Sequence, residues 1–150
     1  MLGREVQPNA TGDAAERCEL CASDGGEILW RDRHCRVVAV AEPDYPGFCR
    51  VVLQRHVKEM TDLARDERAR LMDAVFATES ALRELMRPDK VNLASLGNIT
   101  QHLHWHVIPR FRDDRHFPQP IWAQAARPRP ARRAPEAAVL AELLRARLGG

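Results

Sequence analysis

Histidines alternate with apolar residues between positions 102 and 108, and this pattern constrains the fold more than any other feature of the chain. Successive side chains of a β-strand point to opposite faces, so His102, His104 and His106 would share one face and the apolar residues between them the other. Packing alone does not explain three imidazoles in a row, because each buried ring needs polar partners. The pattern predicts a strand with one apolar face and one face of three histidines.

Patterns in the rest of the chain indicate an α+β fold. Runs rich in strand-forming residues predict strands at residues 28–31, 36–41, 48–54, 91–96 and 103–111. Apolar residues at three- and four-residue spacing predict one helix over residues 65–86, which ends before Pro88. Because regular βαβ alternation is absent, we expect an antiparallel sheet with one main helix.

The two ends of the chain differ in composition from its middle. Residues 1–16 are polar and aperiodic, and we expect them to be disordered. Residues 17–123 are predicted to form a single domain. Residues 124–150 begin with a segment rich in proline and arginine and end in an amphipathic stretch, which predicts a linker and a short helix.

Charge and hydropathy exclude several functional classes. The formal net charge is +2, but residues 124–150 hold six arginines and two glutamates, so the rest of the chain is slightly acidic and is no platform for specific nucleic-acid binding. No stretch approaches the roughly 18 apolar residues of a membrane span, and the first residues lack the apolar core of a secretory signal. We therefore expect a cytoplasmic protein without a membrane segment.

The histidine pattern by itself permits two chemistries. Three imidazoles can bind one metal ion, as in open catalytic zinc sites. Alternatively, one imidazole can attack phosphorus while its neighbours orient it and neutralise charge. Imidazole titrates near neutral pH and suits this work without a large change in its pKa.

A second motif, Cys18-Glu-Leu-Cys21, has the spacing of half a zinc site. The same spacing occurs in redox pairs, although the strand–motif–helix setting of thioredoxin-like proteins is missing here. Two buried free thiols are a third reading. Cys35 and Cys49 lie in valine-rich predicted strands and are expected to be buried small apolar residues.

Residues 102–108 match the pattern His-φ-His-φ-His-φ-φ at all seven positions, where φ is apolar, and so resemble the histidine triad family. The likeness extends over about residues 18–117. It includes Pro43, Gly47 and His56 around a predicted strand and Gly97-Asn98 before the triad, and it is strongest to the bacterial branch similar to diadenosine tetraphosphate hydrolases. The resemblance implies a five-stranded antiparallel sheet with one main helix and short helices, in a homodimer.

The same resemblance implies roles for individual residues. His104 would attack the α-phosphorus of a nucleotide and form a nucleotidyl-histidine intermediate. His106 would contact phosphate oxygens and assist the leaving group, and His102 would orient the other two rings. Asn92 and Asn98 would hold phosphate oxygens.

Two positions depart from the family pattern. Ile99 stands where the family often has serine or threonine, and the neighbouring Thr100 is assigned to that contact instead. Val40 stands where the family often has an aspartate that binds ribose. Glu42 is assigned to that contact, with Asp44 as the alternative.

Part of the family holds a zinc ion with residues that correspond to Cys18, Cys21, His56 and His102. Two thiolates and two imidazoles close a tetrahedral shell, so this zinc would be structural. No catalytic metal is implied in the protein, and magnesium is expected only as a companion of a polyphosphate substrate.

The resemblance therefore implies a nucleotide hydrolase or transferase that cleaves a phosphoanhydride or phosphoramidate, with dinucleoside polyphosphates as the first substrate class. Two alternatives stay open. One is a nucleotide-binding or interaction protein whose turnover is incidental, and the other is a hydrolase with a metal ion held by the three histidines.

Overall fold

The computed structural model describes the chain from Thr11 to Gly150. Five strands and four α-helices form along it, with a 3-10 turn at Met60–Asp62 before the longest helix. In chain order the elements are α1 (Thr11–Glu16), α2 (Glu19–Ala22), β1 (Glu27–Arg31), β2 (Cys35–Ala39), β3 (Cys49–Leu53), α3 (Arg65–Met86), β4 (Lys90–Ala94), β5 (His104–Arg110) and α4 (Ala137–Leu148). No helix among the described residues is both long and apolar enough to cross a membrane.

The strands form one sheet in the order β1-β2-β3-β5-β4, and every neighbouring pair is antiparallel. This confirms the predicted five-stranded antiparallel sheet with one long helix and short helices. β5, which carries the histidines, lies between β3 and β4, so both of its edges are hydrogen-bonded. A strand held on both edges gives its side chains fixed positions.

The main core lies between one face of the sheet and α3. Val37, Val51 and Val107 have no exposed surface and pack with the buried side of α3, including Val75 and Leu82. The sequence ends α3 as predicted, because Arg87 adopts a left-handed conformation (φ 48°) just before Pro88. His104 and His106 of β5 lie on the opposite face of the sheet.

The C-terminal segment contains the predicted short helix, α4, and the structure adds that this helix packs on the rest of the domain. α4 packs on α3 and β1, and its Leu140 and Leu144 are 3% and 0% exposed within the main core. The end of the chain is held as well, because the indole Nε1 of Trp30 donates to the carbonyl oxygen of Gly149 at 2.8 Å. α4 therefore belongs to the domain, since its apolar side covers core residues that the sheet and α3 leave open.

The arginines of this segment also bind back to the domain. Arg132 pairs with Asp113 at 3.0 Å and Arg147 with Glu84 at 2.6 Å.

At the other end of the chain, residues 1–10 of the predicted disordered segment lie outside the described residues. Its remainder forms α1, where Asp13 makes an ion pair with Arg17 at 3.3 Å.

We expect Leu144→Ala to lower the free energy of unfolding by about 2–5 kcal/mol, because it leaves a cavity in a fully packed core. Val139→Ala is the matched control on the same helix, since Val139 is 43% exposed. Its effect should stay within about 1 kcal/mol. Denaturant unfolding measures both, and equal small losses would contradict the inclusion of α4 in the core.

Candidate active site

All three predicted histidines are buried, but only His104 and His106 lie on the sheet face opposite α3, because β5 begins at His104. His104 and His106 lie in β5, and His102 precedes the strand by two residues. Their exposed fractions are 1% for His102, 8% for His104 and 7% for His106. The ring centroids of His104 and His106 are 5.0 Å apart. The alternation in the sequence therefore brings these two rings together as predicted.

A backbone hydrogen bond fixes the orientation of the His104 ring. Its Nδ1 lies 2.6 Å from the carbonyl oxygen of His102. A carbonyl only accepts, so Nδ1 carries the proton and donates it. The other nitrogen, Nε2, then keeps its lone pair. This is the tautomer that a nucleophilic imidazole requires.

Ser95 supports the same strand from the end of β4. Its hydroxyl donates to the carbonyl oxygen of His104 at 2.8 Å. The sequence did not single out this residue. Only the strand register reveals the contact, because the pairing of Ala94 with His106 places the next residue beside the backbone of His104.

His106 lies in an aromatic and cationic environment. Its ring centroid is 5.5 Å from that of Phe48 and 5.4 Å from that of Trp122. Burial, and then the neighbouring His104 and Arg50, lower the pKa of His106 to about 4. The ring is therefore neutral near pH 7 and has one N–H to donate. Trp122 was missed in the sequence, where nothing tied residues beyond 117 to the triad.

Asn92, a predicted phosphate contact, lies on the histidine face. It pairs with Ile108, which shares that face with His106 by strand alternation. Its side-chain oxygen accepts a hydrogen bond from Nη1 of Arg110 at 2.7 Å. The amide nitrogen of Asn92 is then left as the donor that can meet an anion.

A buried ion pair holds Arg110 in place. Nε of Arg110 lies 2.7 Å from Oδ2 of Asp114, and both side chains are at most 3% exposed. Burial raises the pKa of Asp114, but hydrogen bonds from Arg110 and from the backbone of Phe111, Phe117 and His116 outweigh it and leave that pKa below the usual value. The pair therefore orients Asn92 through Arg110.

The other three predicted substrate contacts, Asn98, Thr100 and Glu42, make no described contact with the histidines. Asn98 is exposed in the loop after Gly97, a glycine with φ 71°. Thr100 lines a cavity of about 860 Å³ together with Cys18 and His56. Glu42 accepts a hydrogen bond from the backbone N–H of Asp44 at 3.2 Å.

Glu42 also lines a separate cavity of about 580 Å³ that it shares with Arg132 and Pro135. None of the three histidines is among the described residues that line this cavity. The ribose contact assigned to Glu42 thus stays a prediction without structural support.

The predicted metal ligands converge on one point. Nδ1 of His102 lies 3.4 Å from the sulfur atoms of both Cys18 and Cys21, and Nδ1 of His56 lies 3.5 Å from that of Cys21. All four ligand atoms lie within 4.8 Å of one another. Sulfur and nitrogen ligands of one tetrahedral zinc ion are about 3.5 Å apart, by the usual bond lengths. The donor set and its spacing therefore fit a metal ion.

The cluster has the support that metal sites usually show. Nε2 of His102 lies 2.6 Å from the carbonyl oxygen of Leu53, which fixes the ring with Nδ1 toward the cysteines.

The other two cysteines lie outside this cluster. Cys35 and Cys49 are at most 1% exposed in the core, as predicted, and burial raises the pKa of each thiol to about 12.

The family model for the HIT domain, the histidine triad domain, matches residues 25–113, more than half of the chain. The chain belongs to the HIT domain family.

Solved structures of the family share the fold of this HIT protein. A histidine triad protein from Marinobacter aquaeolei has a TM-score of 0.68 and 27% identity, over 83% of this chain and 92% of that one. A histidine triad protein from Bradyrhizobium japonicum has a TM-score of 0.64 and 27% identity, over 83% and 92% of the two chains.

The chain is also similar in sequence to the AP-4-A phosphorylase of Mycobacterium tuberculosis. It is 28% identical over 119 residues, which are 73% of this chain and 61% of the relative. This HIT protein thus spans less than two thirds of the length of that relative.

We expect Asp114→Asn to lower the free energy of unfolding by about 3 kcal/mol near pH 7, because it leaves the Arg110 charge buried without its anion. The pKa of Asp114 is depressed in the folded state, so the stability from the pair is present above the unfolded aspartate pKa of about 3.9 and is lost as the pH falls through the lower folded pKa. The difference between the two proteins should shrink over that range.

Asp113→Asn is the matched control, since Asp113 is 61% exposed and pairs with Arg132 at the surface. Its effect should stay below about 1 kcal/mol. Denaturant unfolding from pH 7 to pH 3 measures both variants. A difference for Asp114→Asn that stays constant with pH would contradict the ion pair.

Proposed function

We propose that this HIT protein is a nucleotide hydrolase or transferase that works through a nucleotidyl-histidine intermediate. Its substrates would be nucleoside phosphoanhydrides, with dinucleoside polyphosphates first, or nucleoside phosphoramidates. The observation that carries the proposal is the hydrogen bond from Nδ1 of His104 to the carbonyl oxygen of His102, which in the neutral ring leaves the lone pair on Nε2, beside His106. The name of the mycobacterial relative supports the dinucleoside polyphosphate class.

In the first step, the lone pair on Nε2 of His104 would form a bond to the α-phosphorus. The bond from this phosphorus to the bridging oxygen, or to nitrogen in a phosphoramidate, breaks, and its electron pair goes to the leaving group. A polyphosphate leaves as an anion, while an amine takes a proton from solvent. The Nδ1 proton stays on His104, where the His102 carbonyl stabilises the cationic ring that forms.

In the second step, an oxygen acceptor would attack the same phosphorus. The phosphorus–nitrogen bond breaks and returns its electron pair to Nε2. Water as the acceptor loses a proton to solvent and releases a nucleoside monophosphate, whereas inorganic phosphate would release a nucleoside diphosphate. The two outcomes differ only in the acceptor, so both follow from the same arrangement of histidines.

The neighbouring groups would stabilise the charge that develops on phosphate oxygens. The neutral His106 can donate one N–H, and the side-chain amide of Asn92 is oriented by Arg110 to donate as well. Asn98, which is exposed in the loop before the triad, would hold a phosphate oxygen as well. These donors act without net charge.

Zinc is the metal proposed for the cluster of Cys18, Cys21, His56 and His102. Two thiolates and two imidazoles favour zinc and leave no open position, so the ion would supply a structural cross-link between the N-terminal segment and the sheet. The cross-link includes His102, whose carbonyl oxygen holds the His104 proton. The metal site would thus stabilise the backbone that orients the nucleophile.

The hydrolase with a metal ion held by the three histidines is disfavoured by the hydrogen bonds of the rings. His102 directs Nδ1 to the cysteines and Nε2 to the carbonyl oxygen of Leu53. Nδ1 of His104 is bound to a carbonyl oxygen as well. The three rings therefore do not present lone pairs to one common point.

The homodimer remains a proposal that rests on the family resemblance. β4 is an edge strand of the sheet in this chain, and its outer backbone edge has no neighbouring strand among the described residues. A second copy could pair there and extend the sheet.

We expect His104→Ala to lower turnover of diadenosine tetraphosphate by about three orders of magnitude, or about 4 kcal/mol of transition-state stabilisation. His106→Ala should lower it less, because Asn92 shares its role. His34→Ala removes an imidazole outside the site and should leave turnover unchanged. Steady-state kinetics measures all three, and near-normal turnover of His104→Ala would contradict the proposed nucleophile.

We expect the purified protein to hold about one zinc ion per chain, and Cys18→Ser to lose the ion and several kcal/mol of stability. Cys35→Ala is the control, since Cys35 lies in the core away from the cluster and should keep the ion. Elemental analysis and thermal unfolding measure both properties. Zinc that survives Cys18→Ser but is lost in His104→Ala would support the alternative metal enzyme.

A further inference from the structure

Arg50 is a cationic residue on the histidine face that none of the roles above uses. It lies in β3 directly opposite His106 of β5, and paired residues of neighbouring strands point to the same face. Its guanidinium carbon is 5.7 Å from the centre of the Phe48 ring, and that ring is 5.5 Å from the ring of His106. Arg50 therefore lies on the same face as His106, with the Phe48 ring close to both side chains.

The side chain of Arg50 is half-buried and incompletely bonded. Its Nε atom has almost no exposed surface and no hydrogen-bond partner among the described residues. No described carboxylate forms an ion pair with it. A buried donor of a charged group without a partner costs free energy, which an incoming acceptor would recover.

The charge around this donor favours an anion. The ionisable groups that act on His106 are His104 and Arg50, and both oppose a further positive charge there. A nucleoside is neutral, whereas each phosphate of a nucleotide carries negative charge. Guanidinium groups match phosphate oxygens with several fixed N–H donors.

We propose that Arg50 binds a phosphate group of the substrate and supplies the fixed positive charge of the histidine face. This inference rests on the proposed function, because it takes the substrate to be a nucleotide. The bound oxygens belong either to the phosphate that His104 attacks or to phosphates farther along the leaving group. Both are the same chemistry, and the two substrates compared below distinguish them.

The first measurement is the binding of AMP and of adenosine, by calorimetry, to the wild-type protein, Arg50→Met and Arg50→Lys. Arg50→Met keeps an unbranched apolar side chain, and Arg50→Lys keeps the charge. We expect Arg50→Met to weaken AMP binding about ten- to a hundredfold, and Arg50→Lys to restore part of the loss. Adenosine, which has no phosphate, should bind equally to all three proteins.

Arg145→Met is the matched control. Arg145 is exposed on α4, which packs against the other face of the sheet, and its loss removes the same charge. It should leave AMP binding unchanged. Thermal unfolding of each variant confirms that the fold is kept, and Arg50→Lys supplies the comparison if Arg50→Met is less stable.

The second measurement is turnover of diadenosine tetraphosphate and of adenosine phosphoramidate by the same proteins. Equal losses with both substrates assign Arg50 to the attacked phosphate, which both possess. A larger loss with the tetraphosphate assigns it to the leaving phosphates. Either pattern supports a phosphate contact.

Unchanged AMP binding and turnover in a folded Arg50→Met would overturn the inference. An equal loss of adenosine and AMP binding would overturn it too, because it would place Arg50 on the nucleoside. If the wild-type protein binds AMP through Arg50 but turns over neither substrate, the proposed function fails and the phosphate contact stands. Absence of AMP binding to the wild-type protein contradicts both.

Discussion

The hydrogen bond from the His104 ring to the backbone carbonyl of His102 is the contact on which the site depends. It spans only two residues, so it depends on the position of the His102 backbone just before β5. The His102 ring is held by its contact with the carbonyl oxygen of Leu53 and by the two cysteines on its other side. A ligand of the proposed metal site, His102, and the proposed nucleophile, His104, are therefore only two residues apart and joined by this hydrogen bond.

The surrounding sheet serves this arrangement by holding β5 on both edges and by separating its two faces. One face packs against α3 and α4 in the main core, and the other keeps imidazoles, Asn92 and Arg50 close together. Burial of these polar groups is costly unless partners satisfy them. On the histidine face, the buried atoms without a hydrogen-bond partner among the described residues include Nδ1 of His106 and Nε of Arg50, which belong to paired residues of neighbouring strands.

Much of the fold and part of the site could be predicted from local sequence patterns. The alternation at residues 102–108 and the periodicity of residues 65–86 are properties of single elements. The helix is confirmed over residues 65–86 and the strand from His104 onward, whereas His102 lies before the strand. The packing of α4 was missed because the composition of residues 124–135 is typical of a solvated linker, while the burial of Leu144 depends on a gap left by distant elements. Trp122, Ser95 and Arg50 join the site through register and loop path, which single-element patterns do not encode.

The most direct test of the proposed mechanism is to trap the intermediate. The wild-type protein would be mixed briefly with diadenosine tetraphosphate, quenched in base, which preserves a phosphorus–nitrogen bond, and digested for mass spectrometry. We expect an adenylyl group on His104, and none on His104→Ala treated in the same way. An adduct on another residue, or turnover in the wild-type protein without any adduct, would contradict the assignment of His104 as the nucleophile.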